Sequence, residues 1–348
     1  MSIDCKFAMD LEIPNIRQMT LDMIAQVPEG KITTFRALAL ALGDSIASRA
    51  VGMIIADAEP HLDLPFHRVV YSNGQIGITK NNERSRLEKI ELLRAEGIPI
   101  AGWRVQNLSY YVHHSFECGH PLKRLSKIQS ELSTRVVRES LKERFETAGG
   151  VDLSYENYWR GVGAYVEMDI ASCLATRTET GKQEIHFPYI STYLAYRELP
   201  ILISLLNKAR ESGPLADVIL VDGTGILHPR HAGIASQLGI IMDVPTIGIT
   251  KTKLYGSVAL RDMGEGEVRN VIDPIDGAVI GAAIKTKERA APIYVSTGHG
   301  ISLDDATQIV LNLARYKLPE PIHRAHNLCK EVATRNRPKV NAQKALEL

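Results

Sequence analysis

Apolar positions recur at helical spacing up to residue 96, whereas beyond Gly150 they gather into short runs suited to a sheet. Residues 15–29 predict a helix ended by Pro28 and Gly30, residues 33–42 a second short helix, and residues 47–58 a third. Gly43 and Asp44 turn the chain between the last two. Two short helices joined by a tight glycine-containing turn read either as a helix-turn-helix or as a generic helical hairpin. Residues 65–71 form a short extended stretch turned by Asn73 and Gly74. Residues 82–96 predict a helix with Leu87, Ile90 and Leu93 on one face and Gly97 as its stop. Periodicity lapses over residues 104–120, which read as a linker, and residues 123–145 predict a charged amphipathic helix.

After Gly149 and Gly150 the pattern changes. Residues 151–155, 163–169 and 175–180 predict three successive strands, followed by a helix over 193–209. Residues 217–222 (DVILVD) are an apolar run closed by an acid and then Gly223, the signature of a buried strand delivering a polar group at its carboxyl end. A helix over 232–242, strands over 246–250, 279–284 and 293–296, and a helix over 302–316 complete the pattern. Strands first, then strand–helix alternation, predict a mixed sheet with helices packed on it.

A chain of 348 residues with 45% hydrophobic positions accommodates two domains, each with a core. It contains no apolar run of transmembrane length, and its start lacks a basic region followed by an apolar stretch. The expected location is therefore the cytoplasm. The cysteines Cys5, Cys118, Cys173 and Cys329 are scattered, which points away from a disulfide framework. His113, His114, Cys118 and His120 fit no standard zinc spacing and read as polar linker. A net charge of +1 argues neither for nor against a nucleic-acid partner.

Three acids stand out by position. Asp152 follows the glycine pair on a strand, Asp222 closes an apolar strand, and Glu198 lies within a helix beside Arg197. A carboxylate at a buried strand end is costly unless it is paired or bound to a cation. Several such acids together repel one another, and a divalent cation resolves the repulsion. Magnesium takes one or two carboxylates with waters and a phosphate oxygen, which is the arrangement phosphodiester hydrolysis needs. Each acid taken alone reads as a surface or capping carboxylate.

The surrounding segments change that balance. GGVDLSYEN (149–157), FPYISTYLAYRELP (187–200), VDGTGILHPRHAGIASQLG (221–239), VPTIGITKTKLYG (244–256), IYVSTGHGISLDDA (293–306) and YKLPEPIHRAH (316–326), in that order, resemble the successive motifs of the endonuclease V family over residues 122–335. The resemblance implies an RNase H-like fold, a mixed sheet flanked by helices. It implies cleavage at the second phosphodiester bond 3′ to deoxyinosine, leaving 3′-hydroxyl and 5′-phosphate ends, by a metal-activated water with Mg2+ or Mn2+. Asp152 and Asp222 match the metal-binding aspartates, Glu198 matches the active-site glutamate, and His326 matches a position that is His or Asp in the family close to the metal site, the last two reaching the metal through water. Lys251 matches a lysine that neutralises phosphate charge. Tyr189 matches a wedge that fills the gap left by a displaced base. Gly223, Gly225 and His228 match the pocket for the flipped base, where glycines would let backbone amides approach its edge. Three positions depart from the family pattern. Ser191 replaces a proline after the wedge, Gly300 stands where arginine is usual, and His323 replaces another arginine.

Residues 14–104 carry a second resemblance. PEGKITTFRALALALG, SRAVG, LPFHRVVYSNGQIG and LLRAEGIPI resemble the DNA-binding domain of O6-alkylguanine-DNA alkyltransferases. Arg49 matches the arginine that takes the place of the flipped base, and Phe35 an aromatic that rotates the nucleotide's phosphate. The acceptor cysteine of that family is replaced by Phe66, and without a thiolate direct transfer at this position is excluded. The segment therefore resembles the alkyltransferase-like proteins, which bind alkylated guanine without repairing it. Glu59 stands where asparagine is usual, and His67 keeps only a structural role.

The sequence thus predicts a two-domain chain of α/β and α+β class. A winged or helix-turn-helix alkyltransferase-like domain over 1–105 is followed by a linker over 106–121, an endonuclease V domain over 122–335 and a tail over 336–348. The expected partner is damaged double- or single-stranded DNA, with no membrane and no organic cofactor. The expected function is DNA-repair nicking at deoxyinosine, with other deaminated or alkylated bases as further candidates. The alternatives are a non-catalytic damage-binding protein and an inosine-specific endoribonuclease.

Overall fold

A computed structural model describes residues 12–78 and 83–335. The predicted tail, Cys5 and the first residue of the helix expected over 82–96 lie outside the described residues. The chain forms two compact units. Among the described residues, one comprises 12–128 together with 186–197, the other 129–185 and 198–335.

The first unit is mostly helical. Helix α1 (Ile16–Ala25) starts where Asn15 accepts the Gln18 amide through its side chain. The predicted second helix begins two residues late, because Thr33–Thr34 form strand β1, and Thr34 caps α2 (Phe35–Leu42) by accepting the Ala37 N–H at 3.0 Å. Gly43 ends α2 at φ +109°, and an added Cβ there would lie 2.7 Å from the Lys123 nitrogen. Asp44 then caps a 3-10 turn (Ser45–Ala47) leading into α3 (Ser48–Ala58). This is a helix-turn-helix by connectivity. The stretch expected to be extended over 65–71 starts as a 3-10 turn (Phe66–Arg68), and only Val69–Val70 pair, as β2, parallel to β1.

Helix α4 (Glu83–Ala95) buries Ile90 and Leu93, but Leu87 is half exposed and the third buried position is Lys89. Strands β3 (Ile100–Ala101) and β4 (Arg104–Val105) form a small hairpin, and a short helix α5 (Leu108–Tyr111) follows. The stretch expected to be a linker is tied down at its start: the Ile32 N–H donates to Tyr111 and the His113 N–H donates to Ile32. Leu108, Tyr111 and Val112 pack against Ile32, Val70, Ile76 and Leu93.

Helix α6 (Pro121–Ser133) is shorter than the 123–145 expected. Ser133 and Thr134 hydroxyls bond back to the carbonyls of Ser130 and Glu131, competing with continuation of the helix. The chain then runs alongside Gly300, whose amide donates to Val137 and whose carbonyl accepts from Leu141.

The second unit is built on a mixed sheet of order β10-β11-β12-β9-β8-β5-β6-β7. Its strands are β5 (Thr147–Asn157), β6 (Arg160–Asp169), β7 (Ala175–Glu184), β8 (Val218–Asp222), β9 (Thr246–Thr250), β10 (Val268–Ile272), β11 (Val279–Ile284) and β12 (Ile293–His299). β5, β8 and β9 run parallel to one another, and the remaining pairs are antiparallel. The edge strand β10 was not expected from the sequence, and its residues are mostly not buried.

Helix α7 (Leu194–Glu211) lays Ile201 and Leu205 over Gly161 and Gly163 of β6, where a Cβ at Gly161 would lie 2.5 Å from Ile201. Helix α8 (Ile234–Met242) packs Gly239 against Thr246. On the opposite face α9 (Leu303–Leu313) joins the core of Ile247, Ile249, Ile284 and Val295. A helix not expected from the sequence, α10 (Glu320–Arg335), places Ala325, Cys329 and Ala333 against Val162, Ala164, Val166 and Met168. No helix among the described residues is long and apolar enough to cross a membrane.

Candidate active site

The two aspartates meet through strand register. β5 and β8 are parallel with Val151 opposite Val221, so Asp152 and Asp222 follow side by side and project to the same face. Asp152 is buried, and Asp222 closes its strand half-buried. Burial and the charge of Asp222 together push the Asp152 carboxyl up to about 6. Two carboxylates held against each other in this way make a donor pair for a hard cation that completes its shell with water and phosphate oxygens. Among the described residues no three His, Cys, Asp or Glu side chains converge as a metal cage.

His326 enters from α10, its Nδ1 2.7 Å from Asp152 Oδ2. A glycine makes this possible. A Cβ on Gly150 would lie 2.2 Å from the Pro321 carbonyl carbon, so only glycine lets the first turn of α10 settle on β5. Gly150 lies two residues before Asp152, on the same face. The sequence showed a glycine pair there but not its purpose.

Lys251 follows β9 and places Nζ 3.5 Å from Asp222 Oδ2, with the ammonium partly open to solvent. Glu198, buried in the first turns of α7, accepts a hydrogen bond from the Tyr155 hydroxyl. Strand alternation puts Tyr155 and Asp152 on opposite faces of β5. Tyr155 carries no sequence signal of its own for this contact.

The pocket glycines are held within the fold. The Gly223 N–H donates to Ile249 O at 2.9 Å and the Gly225 N–H to Ser296 Oγ at 3.0 Å. Both are glycine for packing: a Cβ would lie 2.2 Å from Ile234 at position 223 and 2.0 Å from Thr297 O at position 225. His228 is buried in the same segment, with Nδ1 accepting the Arg230 N–H. Beyond it, His231 Nε2 lies 3.1 Å from the buried Asp273, which also accepts from the Tyr255 hydroxyl and the Ile275 N–H. Asp273 thereby ties the segment after Asp222 to the segment after Lys251. No sequence signal marked it.

Two of the three departures have local reasons, and nothing in the structure explains Ser191. Gly300 has φ +63° and a Cβ there would press on Leu141 at 2.8 Å, so an arginine is strained at this position. His323 stacks on Tyr316 with ring centroids 4.7 Å apart and bonds to Asn327. Ser191 precedes Thr192, which sits at φ +65°.

Tyr189 belongs to the first unit. It is 55% exposed, while Phe187, Pro188 and Ile190 around it are buried. It is therefore not a core aromatic.

Phe35, Arg49 and Phe66 converge in the first unit, where they line one cavity of about 530 Å3 with Tyr71, Glu59 and Lys89. Phe66 is 3% exposed. Glu59 is neutralised by Lys89 at 2.9 Å. Beside the cavity, Arg68 and His67 both bond to Glu96, which also accepts the Gly30 N–H. These bonds outweigh the cost of burial and hold the Glu96 carboxyl below its usual range. His67 thus has the structural role expected of it.

Comparison with known proteins matches both parts. The family described as Endonuclease V matches residues 130–327, and the family described as 6-O-methylguanine DNA methyltransferase, DNA binding domain, matches residues 15–98. An endonuclease V of Dictyoglomus thermophilum is 36% identical over 203 residues, 58% of this chain and 86% of that protein. A bifunctional methyltransferase/endonuclease of Picrophilus torridus is 31% identical over 307 residues, 88% of this chain and 92% of that protein. The catalytic domain of human endonuclease V superposes with a TM-score of 0.58 at 28% identity, covering 62% of this chain and 96% of that one. Ciona intestinalis endonuclease V, bound to DNA containing an inosine followed by a ribo-adenosine, gives 0.55 at 26% identity, covering 62% and 99%. The chain belongs to the endonuclease V family of nucleases, joined at its amino-terminal side to a DNA-binding domain of the alkyltransferase type.

Proposed function

We propose that the protein is a DNA-repair endonuclease that nicks at the second phosphodiester bond 3′ to deoxyinosine, with Mg2+ as its metal and Mn2+ able to substitute. The observation that carries this reading is the side-by-side placement of Asp152 and Asp222, with Lys251 reaching one and His326 the other. Asp152 and Asp222 would hold the ion, which when bound supplies an acidified water and charge stabilisation at the phosphate. Lys251, part-exposed beside Asp222, offers its remaining N–H groups to a phosphate oxygen. His326 orients the Asp152 carboxylate through Nδ1 and leaves Nε2 for a water or leaving-group proton. Glu198, whose carboxylate Tyr155 fixes, belongs to this reading on the motif match alone. Tyr189 is the wedge, presented to the duplex by its exposure. The inosine-containing DNA bound by the Ciona relative supports the substrate.

We further infer that the N-terminal cavity takes an alkylated guanine without transferring its alkyl group. Phe66 and Phe35 offer apolar ring surface to the flipped base, and Arg49, on the helix beside them, takes its place in the stack.

The test is an incision assay on a panel of duplexes carrying inosine, other deaminated bases or O6-methylguanine, and on inosine-containing RNA, with magnesium present or chelated. Nicking of the inosine duplex only with metal is the expected result. Asp222→Ala is expected to abolish nicking while leaving lesion binding measurable. Metal-independent nicking, or full activity in that variant, contradicts the proposal.

A further inference from the structure

Asp44 divides its carboxylate between two tasks. Oδ1 accepts the Ile46 N–H at 3.0 Å, capping the turn that leads into α3. Oδ2 accepts the Tyr193 hydroxyl at 2.9 Å. α3 supplies Ser48, Arg49, Gly52 and Met53 to the cavity wall. Tyr193 lies four residues after Tyr189, and both belong to the unit formed by residues 12–128 and 186–197.

The segment carrying Tyr189 is held from both sides. The Tyr193 N–H donates to Ile190 O at 3.0 Å, and the Arg197 guanidinium, itself buried, donates to Phe187 O at 2.7 Å. Tyr196 packs its ring on Phe187 and donates its hydroxyl to Leu125 O at 2.8 Å. Tyr189 is thus an exposed ring on a buried, hydrogen-bonded base. One contact joining that base to the entry turn of α3 is the charge-assisted bond from Tyr193 to Asp44.

We propose that Asp44 and Tyr193 are positioning residues for Tyr189, so that the helix lining the N-terminal cavity also sets the ring that enters the duplex. This rests on the reading of Tyr189 as a wedge. A damaged base filling the cavity bears on Ser48 and Arg49 in the first turn of α3, and Asp44, which caps the entry to that turn, passes the contact on to Tyr193 and the Tyr189 segment. Occupancy of one lesion site then favours insertion at the other.

The test uses the full chain and a duplex with an inosine beside a 2-aminopurine, whose fluorescence rises on unstacking. Insertion is read with metal chelated, and nicking is read with magnesium. Both are measured with and without a saturating second duplex bearing O6-methylguanine, and an unmodified duplex serves as control. The methylated duplex is expected to strengthen insertion about fivefold, within the usual range of coupling between sites. Tyr193→Phe is expected to bind the methylated duplex as before but to lose that response. Asp44→Asn, which keeps an acceptor oxygen, is expected to retain part of it. An equal response in Tyr193→Phe, or no response in the unaltered protein, overturns the proposal. Insertion without nicking at any magnesium concentration leaves the positioning role standing and removes the nuclease reading instead. Absence of both insertion and nicking overturns the wedge and this proposal together.

Discussion

His326 Nδ1 lies 2.7 Å from Asp152 Oδ2, although 174 positions separate them in the chain. The contact is held by helix α10 resting on strand β5, so the imidazole acts on its neighbour's carboxylate from a fixed direction. Replacing His326 by alanine is expected to lower the nicking rate about 10- to 100-fold, the usual cost of losing a group that orients a ligand. The effect should fall on kcat rather than on DNA affinity, measured by single-turnover incision and by equilibrium binding in chelator. An unchanged kcat argues against any part for His326 in the reaction.

The Asp152 carboxyl is pushed up to about 6 from an ordinary value of 3.8. The folded chain therefore keeps this proton in a range where the unfolded chain releases it. Without metal, stability is expected to fall as pH rises from about 4 to about 6 and to stay lowered above that. Asp152→Asn removes the charge responsible. In chelator at pH 7.5 that variant is expected to melt above the unaltered protein while losing nicking altogether. Thermal melts across this pH range check the sign, and a lower Tm for the variant refutes it.

Gly150→Ala tests the close approach between α10 and β5. Its Cβ would meet backbone atoms of Pro321, which cannot swing aside as a side chain can. A loss of upwards of about 2 kcal/mol is expected, read from urea unfolding. Nicking should fall as well, because α10 carries His326. Alanine at Gly264, where nothing lies within 4 Å of an added Cβ, is the control.

How much of this was legible in the sequence depended on what each residue does. Asp222 was visible because an acid closing an apolar run marks the point where a buried strand reaches the edge of the core. Its partnership with Asp152 was not, since it depends on β5 and β8 being neighbours in parallel register. Helix α10 stayed hidden because its buried stripe is short and made largely of small residues, Ile322, Ala325, Cys329 and Ala333, among prolines and polar groups. The helix expected over 123–145 was overdrawn, since charge periodicity alone does not show where serine and threonine hydroxyls capture the carbonyls. Gly223 and Gly225 match the family's pocket positions, and the crowding that makes glycine necessary at both comes from segments distant in sequence, Ile234 and Thr297. Asp273 gave no signal, because nothing in its neighbourhood announces a buried carboxylate.

Glu96 anchors the N-terminal unit through Arg68, His67 and Gly30. Its carboxyl is held below an ordinary value of 4.5, so its contribution is complete above that pH and is lost as pH falls through the folded value. Glu96→Gln is expected to cost about 2 kcal/mol at neutral pH and to flatten the acid-side decline of this unit. Acid titration followed by Trp103 fluorescence checks it. A decline as steep in the variant as in the unaltered protein rules out Glu96 as its cause.

Residues 186–197 fold with the amino-terminal unit although they are bracketed in sequence by the other. No single cut in the polypeptide releases one half intact. A gene fragment that begins after residue 128 carries Phe187, Tyr193 and Tyr196 away from the residues that cover them.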